Sequence, residues 1–392
     1  GALLDRNGVA LNITLGDPGN YMQHYNYPSL SPVVGYTQAI YGQAGLNASL
    51  DNYLRGIEGN PSSVIWWNHL LYGHPPPGLN VRTTLDIQLQ SKADELLGDH
   101  KGAIVLLNAQ TGEILVMASH PYFDANTLER DWEKLTKDTS SPLLNRSVQA
   151  LYPTGTALAP FVLVKNSKTI QSKTLPKVFT YFFQGKLLEC AQTPTGTLTW
   201  ASLISNGCPV PTRLLAAQQD KASLLKLVKE LGFYESPQLP LDTTSLPEPP
   251  ATVSSDELLF GHYYLRTSPM QMALAAAALT SKGVIPAPRL VSSVLTPHQG
   301  WVILPIDGKD KQVFTAEEVS DTTRLLAVSD MPIWQSLGNA ADTGNQKVSW
   351  YLGGTLPNWQ GAPLAVCVLL EEDNPTLTEQ IGAALLEAAM NP

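Results

Sequence analysis

The sequence predicts an α+β fold: an antiparallel sheet packed with helices drawn from the middle of the chain. Three observations predict it. Two apolar runs flank a short glycine-bearing turn in 103-AIVLLNAQTGEILVMAS-119, two further apolar runs lie near the C-terminus, and helical segments fill the interval without regular strand–helix alternation. The chain of 392 residues has room for two or three domains, and 43% apolar residues can build a full core. With 15% charged residues it is not a disordered chain. The net charge is −9 with both signs mixed along the chain, and the absence of a Lys/Arg block argues against nucleic acid as a partner.

Taken in order, residues 1–30 alternate short apolar pieces with Gly, Asn and Pro, which predicts strands and turns. Residues 33–56 read as helical with a glycine-rich kink at 41–45. The segment 74-HPPPGL-79 is a stiff proline stretch before a short strand at 80–85. Asp86 is a good N-cap for a helix over 86–99, where Ile87, Leu89, Ala93, Leu96 and Leu97 form much of an apolar stripe. The hairpin of 103–119 comes next. Residues 120–150 and 165–200 read as loop and irregular chain, with a turn feeding a buried helix between them at 151-LYPTGTALAPFVL-163. Helices are expected at 199–206, 212–219 and 223–233, then a surface loop over 234–258. The most apolar helix is expected at 269–283, between Pro269 and Gly283. A strand at 290–304, a helix at 316–328, strands at 347–354 and 364–372 and a last helix at 376–390 close the chain.

No apolar run approaches the roughly 18–20 residues of a membrane span. The cysteines are Cys190, Cys208 and Cys367, with no C-x-x-C pair, and the histidines never fall at zinc-ligand spacing, so no metal and no cofactor are expected. Cys190 and Cys208 are close enough to be disulfide partners if the protein is exported. Separate half-buried thiols fit equally well.

Several stretches, in order, resemble the penicillin-binding proteins, the serine D,D-transpeptidases of peptidoglycan synthesis. They are DRNGVAL (5–11), GYTQAIYGQAGLNASLDNYLRG (35–56), VRTTLDIQLQ (81–90), GAIVLLNAQTGEILVMASHPYFDAN (102–126), PLLNRSVQALYPTGTALAP (142–160), GHYYLRTSPMQMALAAAALTSKG (261–283) and WYLGGTLP (350–357). The resemblance is nearest to the monofunctional class B members. It implies a penicillin-binding/β-lactamase-like transpeptidase domain over 81–392 and a small non-catalytic, dimerisation-like pedestal over 1–80. It also implies action at the extracytoplasmic face of a bacterial membrane, with an anchoring helix ahead of the sequence given.

The family's chemistry needs three elements. In S-x-x-K a serine at a helix start is the nucleophile, and the lysine one turn later, on the same face, can take its proton. The matching positions here are Thr156 and Ala159: the hydroxyl is kept in a bulkier form and the base is lost. In S-x-N the matching triplet is Ser205-Asn206-Gly207, which keeps the serine and replaces the asparagine with Gly207; a shift by one residue keeps Asn206 and loses the serine. In K-T-G, on an edge strand, the match is Asp342-Thr343-Gly344, so the lysine that should attract a substrate carboxylate is replaced by an acid. At ~4 Å, like charges repel by roughly 1 kcal/mol in water and about 4 kcal/mol at an effective dielectric of 20.

A positioned general base is worth about 10²–10⁴-fold, and groups acting as a unit fail together. The expectation is therefore a catalytically inactive homologue that serves as a structural or regulatory partner in cell-wall assembly or division. Its expected partners are a membrane glycan-strand polymerase or other cell-wall proteins, with a peptidoglycan peptide as candidate ligand. The alternative is an active transpeptidase or peptidase using Thr156 as an atypical nucleophile, with Asp342 as a substitute base of ordinarily low pKa. Trp66 and Trp67 read as packing or contact residues, and His262 as a hydrogen-bonded structural residue.

Overall fold

Strands that are covered on both faces read as unbroken apolar runs rather than alternating ones, and three of the five strands of the central sheet show this. In the computed structural model, which describes residues 1–17, 20–73, 75–261, 263–341 and 347–391, helix α1 (Ile87–Leu97) leads into strands β1 (Gly102–Asn108) and β2 (Ile114–His120). The turn of interest feeds α2 (Ala159–Val164), and α3 (Trp200–Ser205) and α4 (Pro269–Thr280) come after it. Strands β3 (Ile333–Ala341), β4 (Lys347–Thr355) and β5 (Leu364–Leu370) and helix α5 (Pro375–Met390) complete the set. The five strands pair antiparallel in the order β3-β4-β5-β1-β2, so β3 is an edge.

The period of two sorts the sheet's side chains into two cores. Val105, Leu107, Trp334, Trp350, Leu352, Ala365, Cys367 and Leu369 join one cluster with α2 and α4. Ile104, Leu106, Ile333, Leu337, Tyr351, Val366 and Val368 join another with Ala93 and Leu97 of α1 and Ile381, Leu385 and Leu386 of α5. Helix α4 is buried along its length except at its last residue, which explains why its sequence is apolar all round. Its N-terminus carries a capping box between Ser268 and Gln271, and the Gln271 amide also donates to the carbonyls of Gly232, Phe233 and Glu235. Asp86 caps α1 as expected, accepting from the Gln88 and Leu89 amides. No helix among the described residues is long and apolar enough to cross a membrane.

The segment before residue 81 is tied to the rest of the chain by a four-stranded sheet. It joins Leu3–Leu4, Val81–Thr83, Val291–Thr296 and Gly300–Ile303 in that order. The expected strand at 290–304 is thus a hairpin. Residues 33–56 are less helical than expected: short helices at Ser31–Val34, Gly45–Ser49 and Asp51–Leu54 surround a small hairpin of Thr37–Gln38 and Gly42–Gln43. Glycines at 35, 42 and 45 weaken any continuous helix there. Within the expected loop 120–150 lies a surface helix, Leu128–Lys137, that buries only Leu128 and so leaves a faint apolar signal. The irregular stretch 165–200 holds one hairpin, Tyr181–Phe183 with Lys186–Leu188. An edge strand is expected only through the resemblance, at 342–344, and the residues Ile333–Ala341 that form β3 are not themselves expected as strand. Its Gly338, Asn339, Ala340 and Ala341 are poor strand formers, and partners on both faces, not propensity, hold it extended.

Candidate functional site: a hydroxyl closed in between a turn and an edge strand

Residues 152–156 are held from several sides before they reach α2. Tyr152–Pro153 pairs antiparallel with Arg266–Thr267. The indole N–H of Trp350 in β4 donates to the Pro153 carbonyl at 3.0 Å. The Tyr152 phenol donates to Glu371 at 2.7 Å, and Arg146 Nε donates to the same carboxylate oxygen at 2.8 Å. Burial, and then the Glu371 carboxylate, push the Tyr152 pKa well up, so the phenol remains a donor. The remaining Arg146 nitrogens donate to the carbonyls of Ser140 and Ser141. Gly155 through Leu158 form a 3₁₀ turn that passes directly into α2.

This scaffold delivers Thr156 against the middle of β3. The Asn339 backbone N–H donates to Thr156 Oγ1 at 2.9 Å. The threonine hydroxyl in turn lies 3.2 Å from both the Asn339 carbonyl and its side-chain amide oxygen. Among the described residues no lysine, histidine or carboxylate hydrogen-bonds this hydroxyl, and Thr156 is only 2% exposed. Ala159, which the resemblance matches to the family's lysine, is fully buried.

The strand comes this close because Gly338 has no side chain. A Cβ there would sit 2.5 Å from the Cα and N of Ala157. The third wall is the end of α3. Of the predicted triplet, Gly207 does face the hydroxyl: a Cβ on it would lie 3.0 Å from Thr156 Oγ1 and 2.7 Å from the Leu337 carbonyl, at φ +61°. Ser205 and Asn206 do not face it. Ser205 Oγ and Asn206 Nδ2 both donate back to the Ser202 carbonyl, at 3.2 and 2.7 Å. The structure therefore brings together Thr156, Ala159 and Gly207, and leaves Ser205 turned into its own helix.

Asp342, Thr343, Gly344 and His262 lie outside the described residues. Within the described part of β3, the triplet leading up to Asn339 is Ser336-Leu337-Gly338. Ser336 Oγ is 3.4 Å from the Ile204 carbonyl, beside Ser205. Gly338 and Asn339 are not among the expected site residues, because the resemblance puts the edge-strand triplet at 342–344 and the chain just ahead of it carries little apolar signal. The available signal was the apolar pair Ile333-Trp334 followed by small residues up to the 347–354 strand.

Cys190 and Cys208 form a disulfide, and Cys367 is a buried free thiol in the sheet. Trp66 and Trp67 are about half exposed, at 56% and 52%, as neighbours on the helix Ser62–Tyr72.

The chain thus combines a five-stranded antiparallel sheet, a central apolar helix and a hydroxyl on a helix-initiating turn beside an edge strand. The model of the penicillin-binding protein transpeptidase domain matches residues 102–354. The chain belongs to this family of penicillin-binding proteins, in its class B branch. It is 25% identical to the peptidoglycan D,D-transpeptidase PbpA of Mycolicibacterium smegmatis, over 96% of this chain and 84% of that protein. A stretch covering 31% of the chain is 33% identical to the D,D-transpeptidase MrdA of Acinetobacter baumannii, of which it covers 20%. The crystal structure of PBPA from Mycobacterium tuberculosis shares the fold with a TM-score of 0.85 at 22% identity, over 100% of this chain and 99% of that one. The D,D-transpeptidase domain from Eggerthella lenta gives 0.80 at 20% identity, over 100% and 98%.

Proposed function

We propose that this chain is a catalytically silent homologue of the peptidoglycan D,D-transpeptidases that acts as a structural or regulatory partner in cell-wall assembly, at the extracytoplasmic face of the membrane. The observation that carries the reading is the state of Thr156. Its hydroxyl is buried, is engaged only by Asn339 among the described residues, and has Ala159 where a base is needed. An unactivated hydroxyl is a poor nucleophile near neutral pH. The cation expected on the edge strand is missing in either register: Asp342 takes its place if the triplet is 342–344, and Ser336 if it is 336–338. The disulfide supports the extracytoplasmic part, since such bonds persist in oxidising compartments. We read residues 1–80 as the pedestal through which a membrane glycan-strand polymerase or another wall protein would be engaged, and 81–392 as the transpeptidase-like unit.

The relatives' names favour a second reading, an active D,D-transpeptidase with Thr156 as an atypical nucleophile. Penicillin-binding protein A of M. tuberculosis has been solved as a penicillin G acyl-enzyme complex, so the same reagent separates the two readings. A fluorescent penicillin should leave this chain unlabelled on a gel, and a D-Ala-D-Ala peptide should not be turned over. Turnover that disappears in Thr156→Ala would establish the second reading.

A further inference from the structure

Residues 189–192 connect the hairpin Tyr181–Phe183/Lys186–Leu188 to the approach to α3, without regular structure of their own. They are nevertheless tied to both walls of the Thr156 site. On the α3 side, the Ala191 N–H donates to the Gly207 carbonyl at 3.3 Å and the Gln192 N–H to the Asn206 carbonyl at 3.2 Å. Cys190 is bonded to Cys208, the residue next to Gly207. On the β3 side, the Asn339 side-chain amide donates to the Glu189 carbonyl at 3.4 Å. A Cβ at Gly207 would meet the Leu337 carbonyl, Ala191 Cβ and Thr156 Oγ1, all within 3.0 Å, so segment, edge strand and hydroxyl converge on one point.

An edge strand offers unpaired backbone groups to whatever extended chain reaches it. Here Thr156 takes the Asn339 backbone groups, and the segment reaches the same residue through the Glu189 carbonyl and the Asn339 side chain. Its hydrogen bonds are all long and individually weak, so the disulfide is its strongest tie.

We propose that residues 189–192 are a strap that closes the Thr156 site, and that the Cys190–Cys208 disulfide holds it shut, so that a dithiol reductant opens the site. Cys190 is the half-buried partner and Cys208 is fully buried, which directs the attacking thiolate to Cys190 Sγ. The S–S bond breaks and Cys208 leaves as a thiolate that takes up a proton. The second thiol of the reductant then displaces Cys190 from the mixed disulfide. Two protein thiols are formed, and the reductant is oxidised by two electrons to its cyclic disulfide. The proposal concerns access to the site and goes beyond the question of whether Thr156 can be acylated.

The test places a reporter thiol under the strap. Thr156→Cys is alkylated with iodoacetamide in the background with Cys190 and Cys208 intact and in the background carrying Cys190→Ser and Cys208→Ser, and the adduct at position 156 is quantified over time by peptide mass spectrometry. Labelling at 156 should be at least tenfold faster without the disulfide; equal rates would overturn the proposal. Because the triple variant could misfold, the unmodified chain is also compared with and without dithiothreitol by hydrogen exchange. Exchange should rise in peptides covering 333–341 and 189–207 while 102–108 stays protected. Unchanged protection at 333–341, or loss of protection throughout, would overturn it as well.

Discussion

Gly338 and Ala159 are small for different reasons, and each can be tested alone. At Gly338 the missing side chain lets β3 lie on the Thr156 turn. Gly338→Ala places a methyl 2.5 Å from the Ala157 backbone, and overpacking of this kind destabilises by about 1–3 kcal/mol. The expected outcome is a melting temperature lower by several degrees; an unchanged melting curve would mean that the strand is not seated as described. Ala159 is buried beside Leu158 and Phe161. Restoring the family's lysine with Ala159→Lys would bury a charge with no partner, at a cost of about 3–5 kcal/mol. The variant should be less stable in urea and still not be acylated, because Gly207 remains and neither Asp342 nor Ser336 supplies a cation on the edge strand. Gain of a penicillin adduct in this single variant would show that the base alone was missing.

The elements that carry the site were unequally legible. The β1–β2 hairpin, α4 and β5 were readable because complete burial writes itself as continuous apolar sequence, and β4 from its shorter apolar core Trp350–Leu352. The turn at 155–158 was readable from its glycine and the apolar run behind it. Strand β3 was not, since its site-facing half consists of small and polar residues chosen for close approach rather than for burial. The surface helix Leu128–Lys137 was hidden in a similar way, having charge on most of its surface. The sequence leaves the disulfide as one of two options, because sequence separation alone does not bring two cysteines together. Between elements, the Arg146–Glu371 pair links the approach to the turn with the end of β5, and Arg146 is almost fully buried. Removing one partner of such a pair costs about 3–5 kcal/mol, so Arg146→Met should sharply lower the urea midpoint. Combining it with Glu371→Leu should be less harmful than the sum of the two. Strict additivity would show that the pair does not act as a unit.

At the scale of the whole molecule, a doubly covered sheet and its central helix are present, and the hydroxyl they hold at the turn, Thr156, is enclosed and engaged only by Asn339 among the described residues. Surface and scaffold can carry a binding role after the chemistry has gone, and fold alone does not decide between the two. The deciding measurement is intact-mass spectrometry of the purified chain after incubation with excess penicillin G, with peptide mapping of any adduct. The mass should be that of the unmodified chain, and a single penicilloyl adduct located on Thr156 would overturn the assignment of a silent site.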